Sequence, residues 1–193
     1  MIARDKPLRV FVISKSDKGF NAVKELLSFD KNVSYTFAKS GGEARRIIMS
    51  EEFDIAIVNA PLGDEFGDSL CTELCETAFC ETIMLVKSDL FDEVSYTVGE
   101  YGVLTISKPV SKVLFHQTYM LAVAGRRRSD NLRKENKKLL SKIEEIKLVE
   151  RAKWALMQKD GMDEQQAHRY IEKRAMDSRL TRYEVARDII ATI

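Results

Sequence analysis

The stretch that decides the fold of the C-terminal part reads RAKWALMQKDGMDEQQAHRYIEKRAMDSRLTRYEVA, residues 151–186. Gly161 is suited to end a first helix, because glycine adopts the left-handed position after a helix without a Cβ clash. Asp163 and Thr181 are each followed three residues later by Gln or Glu, the spacing of a capping box that begins a helix. The stretch therefore predicts three short helices whose narrow, alanine-rich apolar stripes pack closely.

Several residues of this stretch stand at fixed spacings that resemble the signature of the ANTAR family of RNA-binding antitermination regulators. The resemblance covers residues 143–191. It implies a three-helix module that binds hairpin loops in a nascent transcript and prevents a terminator from forming. The matching residues are Ala152, Lys153, Leu156, Met157, Ala167, Ala175, Met176, Arg179 and Ala186.

Basic residues of this module are the candidates for RNA contact, because hairpin loops are bound through their phosphates and splayed bases. Lys153 and Arg179 match signature positions, and neither lies on an apolar stripe, so we expect both to be exposed. Tyr170 lies on the apolar stripe of the second helix, which favours core packing over base stacking. The predicted RNA-binding residues are Arg151, Ala152, Lys153, Arg174, Arg179 and Arg182.

Charge is distributed unevenly along the chain. The net charge is only +1, but residues 126–193 contain 18 Lys and Arg against 12 Asp and Glu. A basic C-terminal part suggests an anionic partner, although a solvated helical surface explains the same count.

The N-terminal part alternates short apolar runs with helical patterns, which predicts a parallel sheet covered by helices on both faces. The expected fold is a flavodoxin-like (βα)5 domain with strand order 2-1-3-4-5. Residues 7–124 resemble a response-regulator receiver domain, and Lys108-Pro109 after the fifth strand is its clearest mark. The predicted strands begin at Leu8, Val33, Phe53, Thr82 and Val103.

The phosphorylation pocket that the receiver resemblance implies is degenerate. The family places an aspartate after the third strand, an acidic pair after the first and a hydroxyl after the fourth. This chain has Asn59, Ser14 with Lys15, and Val86 at these positions, and it retains Lys108. An amide does not form an acyl phosphate, and an ammonium group repels Mg²⁺. We therefore expect the domain to take a signal without phosphorylation.

Two questions about this pocket stay open at the sequence level. Lys15 is either a solvated side chain or a substitute for the missing metal. Asp17 and Asp64 lie nearby in sequence and leave a displaced phosphorylation site as an alternative. Cys71, Cys75 and Cys80 are too few, without a nearby His, for a metal site, so we expect reduced thiols in a cytoplasmic protein. No metal or other cofactor is expected.

A heptad tract follows the receiver-like part. Its core positions hold Leu132, Asn136, Leu139, Ile143 and Ile146, and leucine at d with isoleucine and one asparagine at a favours a parallel dimer. The alternative is a charged linker helix that lies on its own protein.

These patterns predict a pseudo-receiver over residues 1–124, a coiled-coil linker over 125–150 and an ANTAR domain over 143–193, with Gly125 as a possible helix break. The leading hypothesis is a dimeric antiterminator that binds RNA and a signalling protein. The alternatives are a DNA-binding response regulator and a protein-interaction or sequestration module. No catalytic constellation is visible, so an enzyme is not expected. The sequence contains no run of 18 apolar residues, so it predicts no membrane-spanning helix.

Overall fold

The computed structural model describes residues 6–78 and 80–192, and it divides into two compact units between Ser129 and Asp130. The first unit contains a five-stranded parallel sheet in the order β2-β1-β3-β4-β5, which confirms the predicted doubly wound fold. The strands are β1 Leu8–Ser14, β2 Val33–Ala38, β3 Ile55–Asn59, β4 Glu81–Lys87 and β5 Leu104–Lys108. The helices are α1 Asp17–Leu26, α2 Gly41–Ile48, α3 Asp68–Glu76, α4 Phe91–Gly99 and the start of α5 Lys112–Asp160, with a 3-10 turn at Ser88–Leu90.

Alternate residues of the central strands enter two separate cores, one on each face of the sheet. In β1, Phe11 and Ile13 join one core, and Val10 and Val12 join the other. Both faces are therefore covered, as the near-continuous apolar runs of these strands predict.

The first turns of α5 pack on the sheet with a different face from the predicted one. Phe115, Tyr119, Ala122 and Val123 are buried there. The helical spacing of the apolar residues predicts that Leu114, Met120, Leu121 and Ala124 pack on the sheet. Met120 does pack against this core, but Leu114, Leu121 and Ala124 are exposed, Leu121 to 65%. The segment is apolar on most of its circumference, so its sequence does not define which stripe faces inward.

Gly125 does not break α5, contrary to the possibility raised above, because the helix continues from Lys112 to Asp160. A Cβ at residue 125 would lie 2.9 Å from a carboxylate oxygen of Glu81. The glycine therefore serves a close approach between the helix and the sheet rather than a bend.

The second unit consists of the C-terminal part of α5 followed by α6 Glu164–Ser178 and α7 Arg182–Thr192. Gly161 has a φ of 65° directly after α5, and Asp163 begins α6 with a capping box, so both predicted signals are confirmed. Thr181 and Glu184 form reciprocal bonds at the start of α7, with backbone N–H to side-chain oxygen distances of 2.8 and 3.2 Å. The buried core is slim, as predicted: Ala152, Leu156, Ala167, Ile171, Ala175, Val185, Ala186 and Ile189.

Candidate RNA-binding surface and receiver pocket

Most of the signature positions of the second unit are packing positions. Ala152, Leu156, Ala167, Ala175 and Ala186 are buried in its core, and Met157 packs against them. Their spacing therefore specifies how three helices fit together. Any contact with a ligand has to come from the signature positions that remain exposed.

Lys153 is buried, which corrects the prediction that it is an exposed cation. Its side chain is only 8% exposed, and its Nζ lies 2.8 Å from a Glu150 carboxylate oxygen and 2.9 Å from one of Glu164. Hydrogen bonds to Glu150 and then Glu164 raise the pKa of the Lys153 ammonium group. Lys153 thus joins α5 to the first turn of α6. The neighbouring Ala152 is fully buried, so its predicted place in an RNA-contacting surface is also corrected.

Arg179 occupies the turn between α6 and α7 in an unusual backbone conformation. Its φ is 54°, the left-handed region, where glycine is the common residue after a helix. The backbone N–H of Leu180 donates to the Ala175 carbonyl at 3.0 Å, and that of Arg179 to the Met176 carbonyl at 3.3 Å. This pair of bonds is the Schellman motif, and it holds an exposed arginine at a fixed place on the surface.

The other predicted cations are exposed, with different environments. Arg151 is exposed on α5, and Arg174 donates to the Tyr170 hydroxyl at 3.3 Å. Tyr170 is 39% exposed and lies outside the core, so the prediction that it packs in the core is wrong. Arg182 lies 3.6 Å from Glu145 and 3.7 Å from Glu172, so its charge is partly compensated.

Sequence reasoning missed an exposed face of α6 that ends next to Arg179. Met176 is 79% exposed although it is a signature position, and Arg169 and Lys173 are exposed as well. Residues at spacings of three, four and seven lie on the same side of a helix, so these three residues form one surface. We call Arg169, Lys173, Met176 and Arg179 the α6 face. The sequence feature that indicates this face is Met176, an apolar residue that lies outside the apolar stripe of α6.

The predicted dimer residues are exposed on α5. Leu132, Leu139, Ile143 and Ile146 have between 47% and 62% of their surface exposed, and Asn136 is exposed with them. Trp154, the single tryptophan, is 61% exposed and lies eleven residues after Ile143. At 3.6 residues per turn this spacing places Trp154 near the same side of the helix.

In the first unit, the ends of β1 and β3 form the centre of the predicted degenerate pocket. The Asn59 side-chain amide donates to the Ser14 hydroxyl at 3.2 Å. A Cβ on Gly19 would lie 2.1 Å from that hydroxyl oxygen, so the first turn of α1 sits directly on the pair. Val86 is fully buried, and the Lys108 ammonium group donates to the Ala60 carbonyl. On the side of α1, the Asn59 side chain therefore adjoins neutral groups only, the Ser14 hydroxyl and Gly19.

Both aspartates of the alternative, displaced site have other partners. An Asp17 carboxylate oxygen lies 3.2 Å from the Lys39 ammonium nitrogen. Asp64 accepts hydrogen bonds of 2.9 Å from the backbone N–H groups of Gly41 and Gly42. These two bonds, that of Gly42 first, lower the pKa of the Asp64 carboxyl group. The structure therefore assigns Asp64 to the start of α2.

The three cysteines are free, with Cys71 and Cys80 buried. Burial raises the pKa of all three thiols, which favours their protonated form. Among residues 6–78 and 80–192, no group of three or more His, Cys, Asp or Glu side chains is placed to hold a metal ion. In the same residues, no helix has the length and apolar character of a membrane span.

Known proteins resemble both units. Residues 137–190 match the family described as the ANTAR domain. The transcriptional regulatory protein PdtaR of Mycobacterium tuberculosis is 28% identical over 156 residues, which cover 81% of this chain and 76% of that protein.

Solved receiver domains share the fold of the first unit. A signal receiver domain of an HD domain-containing protein from Pseudomonas fluorescens Pf-5 superposes with a TM-score of 0.58 at 17% identity, covering 68% of this chain and 97% of that one. A CheY-like receiver domain protein from Methanospirillum hungatei JF-1 gives a TM-score of 0.56 at 19% identity, covering 64% and 99%. With the signature residues placed in the three-helix core, these findings show that the chain carries an ANTAR domain, preceded by a domain with the receiver fold.

Proposed function

We propose that this protein is a transcription antitermination regulator that binds hairpin loops of leader transcripts through the α6 face. The observation that carries the proposal is the position of Arg179. It is the one signature cation, of the two, that the described structure leaves exposed, and it adjoins Arg169, Lys173 and Met176.

The α6 face has the chemistry that an RNA loop requires. Guanidinium groups bind phosphates or guanine edges bidentately, and an exposed apolar side chain covers an unstacked base. Arg151, Arg174 and Arg182 extend the cationic surface of the same unit. Lys153 would act as a positioning residue that fixes α6 on α5 through its ion pair with Glu164.

We further propose that the protein acts as a parallel homodimer through Leu132, Asn136, Leu139, Ile143 and Ile146. Four exposed large apolar side chains at heptad spacing leave an apolar stripe on α5 that a second copy would cover. A dimer would present two α6 faces, which suits a leader that contains two hairpins.

The receiver unit would take its signal from a partner protein and not from phosphorylation. Asn59 and Ser14 bond each other, and Asp17 and Asp64 are engaged elsewhere, so no carboxylate in the described part of the chain is presented where the family accepts phosphate. The signal would then be the binding of the partner itself.

A gel-shift series tests the proposal. The full-length protein is titrated against a two-hairpin leader RNA, the same RNA with altered loops, and a DNA duplex of matched length, all at one salt concentration. We expect tight binding to the intact leader and weaker binding to the loop variants and the duplex. Equal affinity for all RNAs would contradict loop recognition, and preference for the duplex would replace the proposal with DNA binding.

A further inference from the structure

Three lysines lie at the carboxyl ends of the strands. Lys15 directly follows β1, and Lys87 and Lys108 end β4 and β5, where they are register partners. Among the described residues, no carboxylate forms an ion pair with any of the three ammonium groups. Burial, followed by repulsion from Lys15 and then Lys87, lowers the pKa of Lys108. This end of the sheet therefore carries an uncompensated positive charge.

A cleft opens from this charged edge. It has a volume of 590 Å³, which is within the usual range of small-molecule sites. One wall is the surface of α1, and the other is the loop from β5 into α5. Its polar lining includes Lys18, Asn59 and Lys108, together with Lys112, whose ammonium nitrogen lies 3.2 Å from a carboxylate oxygen of Glu25 in the same lining. Its apolar lining includes Ala22 and Val110. The cleft combines a cationic end with apolar walls.

We propose that this cleft binds a small organic phosphate without covalent chemistry. The phosphate group would lie at Lys108, whose ammonium group uses one donor on the Ala60 carbonyl and keeps others available. The apolar part of the ligand would lie between α1 and the loop that follows β5. Ligands of open α/β sheets bind outside the carboxyl ends of the strands, which is where this cleft lies.

The sign of the charge decides the class of ligand. A divalent metal requires several anionic oxygen ligands, and the pocket offers a single carboxylate, that of Glu25, which is paired with Lys112, beside ammonium, amide and hydroxyl groups. A phosphate dianion would relieve the repulsion among the lysines and accept hydrogen bonds from Lys108. Asn59 remains an unreactive amide throughout, so no bond to phosphorus forms or breaks. The proposal does not depend on RNA binding by the second unit.

Calorimetric titration of the full-length protein with phenyl phosphate tests the site, with inorganic phosphate and benzyl alcohol as separate arms. We expect saturable binding of phenyl phosphate, at least tenfold tighter than either other compound. Lys108→Gln should weaken binding at least tenfold, and Lys138→Gln, which removes an equal charge from the second unit, should not. If Lys108→Gln fails to fold, Lys18→Gln makes the same comparison on an exposed surface.

Backbone amide spectra locate the binding. We expect phenyl phosphate to shift the signals of Gly19 and Lys108 together with the side-chain amide of Asn59. Shifts confined to residues 130–192 would overturn the proposal, because the ligand would then occupy the basic surface of the second unit. Three other results would overturn it as well. They are the absence of saturable binding, binding of phenyl phosphate by Lys108→Gln with wild-type affinity, and binding of benzyl alcohol as tight as that of phenyl phosphate.

Discussion

At the scale of single residues, Lys153 shows how a charged side chain becomes part of a small core. Lys153→Ala would remove its packed aliphatic stem and two ion pairs, so we expect a loss of about 1–2 kcal/mol of unfolding free energy. The neighbouring exposed Arg151→Ala should change stability by at most about 0.5 kcal/mol. Urea unfolding followed by Trp154 fluorescence measures both variants, because the single tryptophan lies in this unit. Equal stability of the two variants would contradict the structural role of Lys153.

Arg179 is expected to contribute to RNA binding and not to stability, the reverse of Lys153. Arg179→Gly keeps the left-handed turn and removes its steric cost, which is about 1–2 kcal/mol for a residue with a Cβ. The gain is partly offset because glycine also increases the entropy of the unfolded chain. We expect stability to be unchanged or higher, and RNA binding to weaken by about 1–3 kcal/mol. Gel shifts compare this variant with Lys31→Gln, which removes a charge from the first unit. Wild-type affinity in Arg179→Gly would remove Arg179 from the RNA contact.

At the scale of secondary-structure elements, Asp64 makes the first turn of α2 sensitive to acid. Its carboxylate accepts hydrogen bonds from Gly41 and Gly42, which lower its pKa. A lowered folded-state pKa adds stability above the unfolded value of about 4, and that stability is lost as the pH falls through the folded value. We expect Asp64→Asn to destabilise the receiver unit at pH 7 and to have a smaller effect near pH 3. Urea midpoints from circular dichroism measure this, and Asp89→Asn is the exposed control. An equal effect at both pH values would contradict the prediction.

The ends of β1 and β3 make a second prediction at this scale. Incubation with acetyl phosphate and Mg²⁺ should leave the mass of the protein unchanged, because Asn59 is an amide and its neighbours are neutral or cationic. Intact-protein mass spectrometry detects an added phosphoryl group. A phosphoryl group that is added and then lost at alkaline pH would identify an aspartyl phosphate. It would then show that a displaced aspartate is phosphorylated.

At the scale of the whole molecule, the apolar stripe of α5 predicts self-association. Leu139→Asp should shift the protein from dimer to monomer, and Asn136→Leu should raise helix stability while relaxing the choice of oligomer. Sedimentation equilibrium at tens of micromolar protein measures the oligomeric state of both variants, and thermal unfolding followed by circular dichroism measures the helix stability. Lys138→Ala is the matched control next to Leu139. A wild-type monomer under these conditions would rule out the proposed interface.

The sequence predicted the fold well because its signals are local. Buried parallel strands appear as apolar runs, and capping residues such as Asp163 mark helix starts within four positions. The burial of Lys153 was not predictable in this way, since it depends on Glu164 from another helix. The inward stripe of α5 near Leu121 also escaped, because apolar residues surround that part of the helix. The exposure of Met176 could be recognised only once the residues that form the core of this unit were known.

The left-handed backbone at Arg179 also bears on how this position changes under selection. If codon 179 is randomised and the library is screened only for resistance to heat, glycine should become frequent, since it fits the turn without a Cβ. If the same library is screened for readthrough of a leader terminator, arginine should be retained. One codon would then respond in opposite directions to two screens, and its drift toward glycine in a lineage would indicate that regulation of transcripts had been lost before the fold.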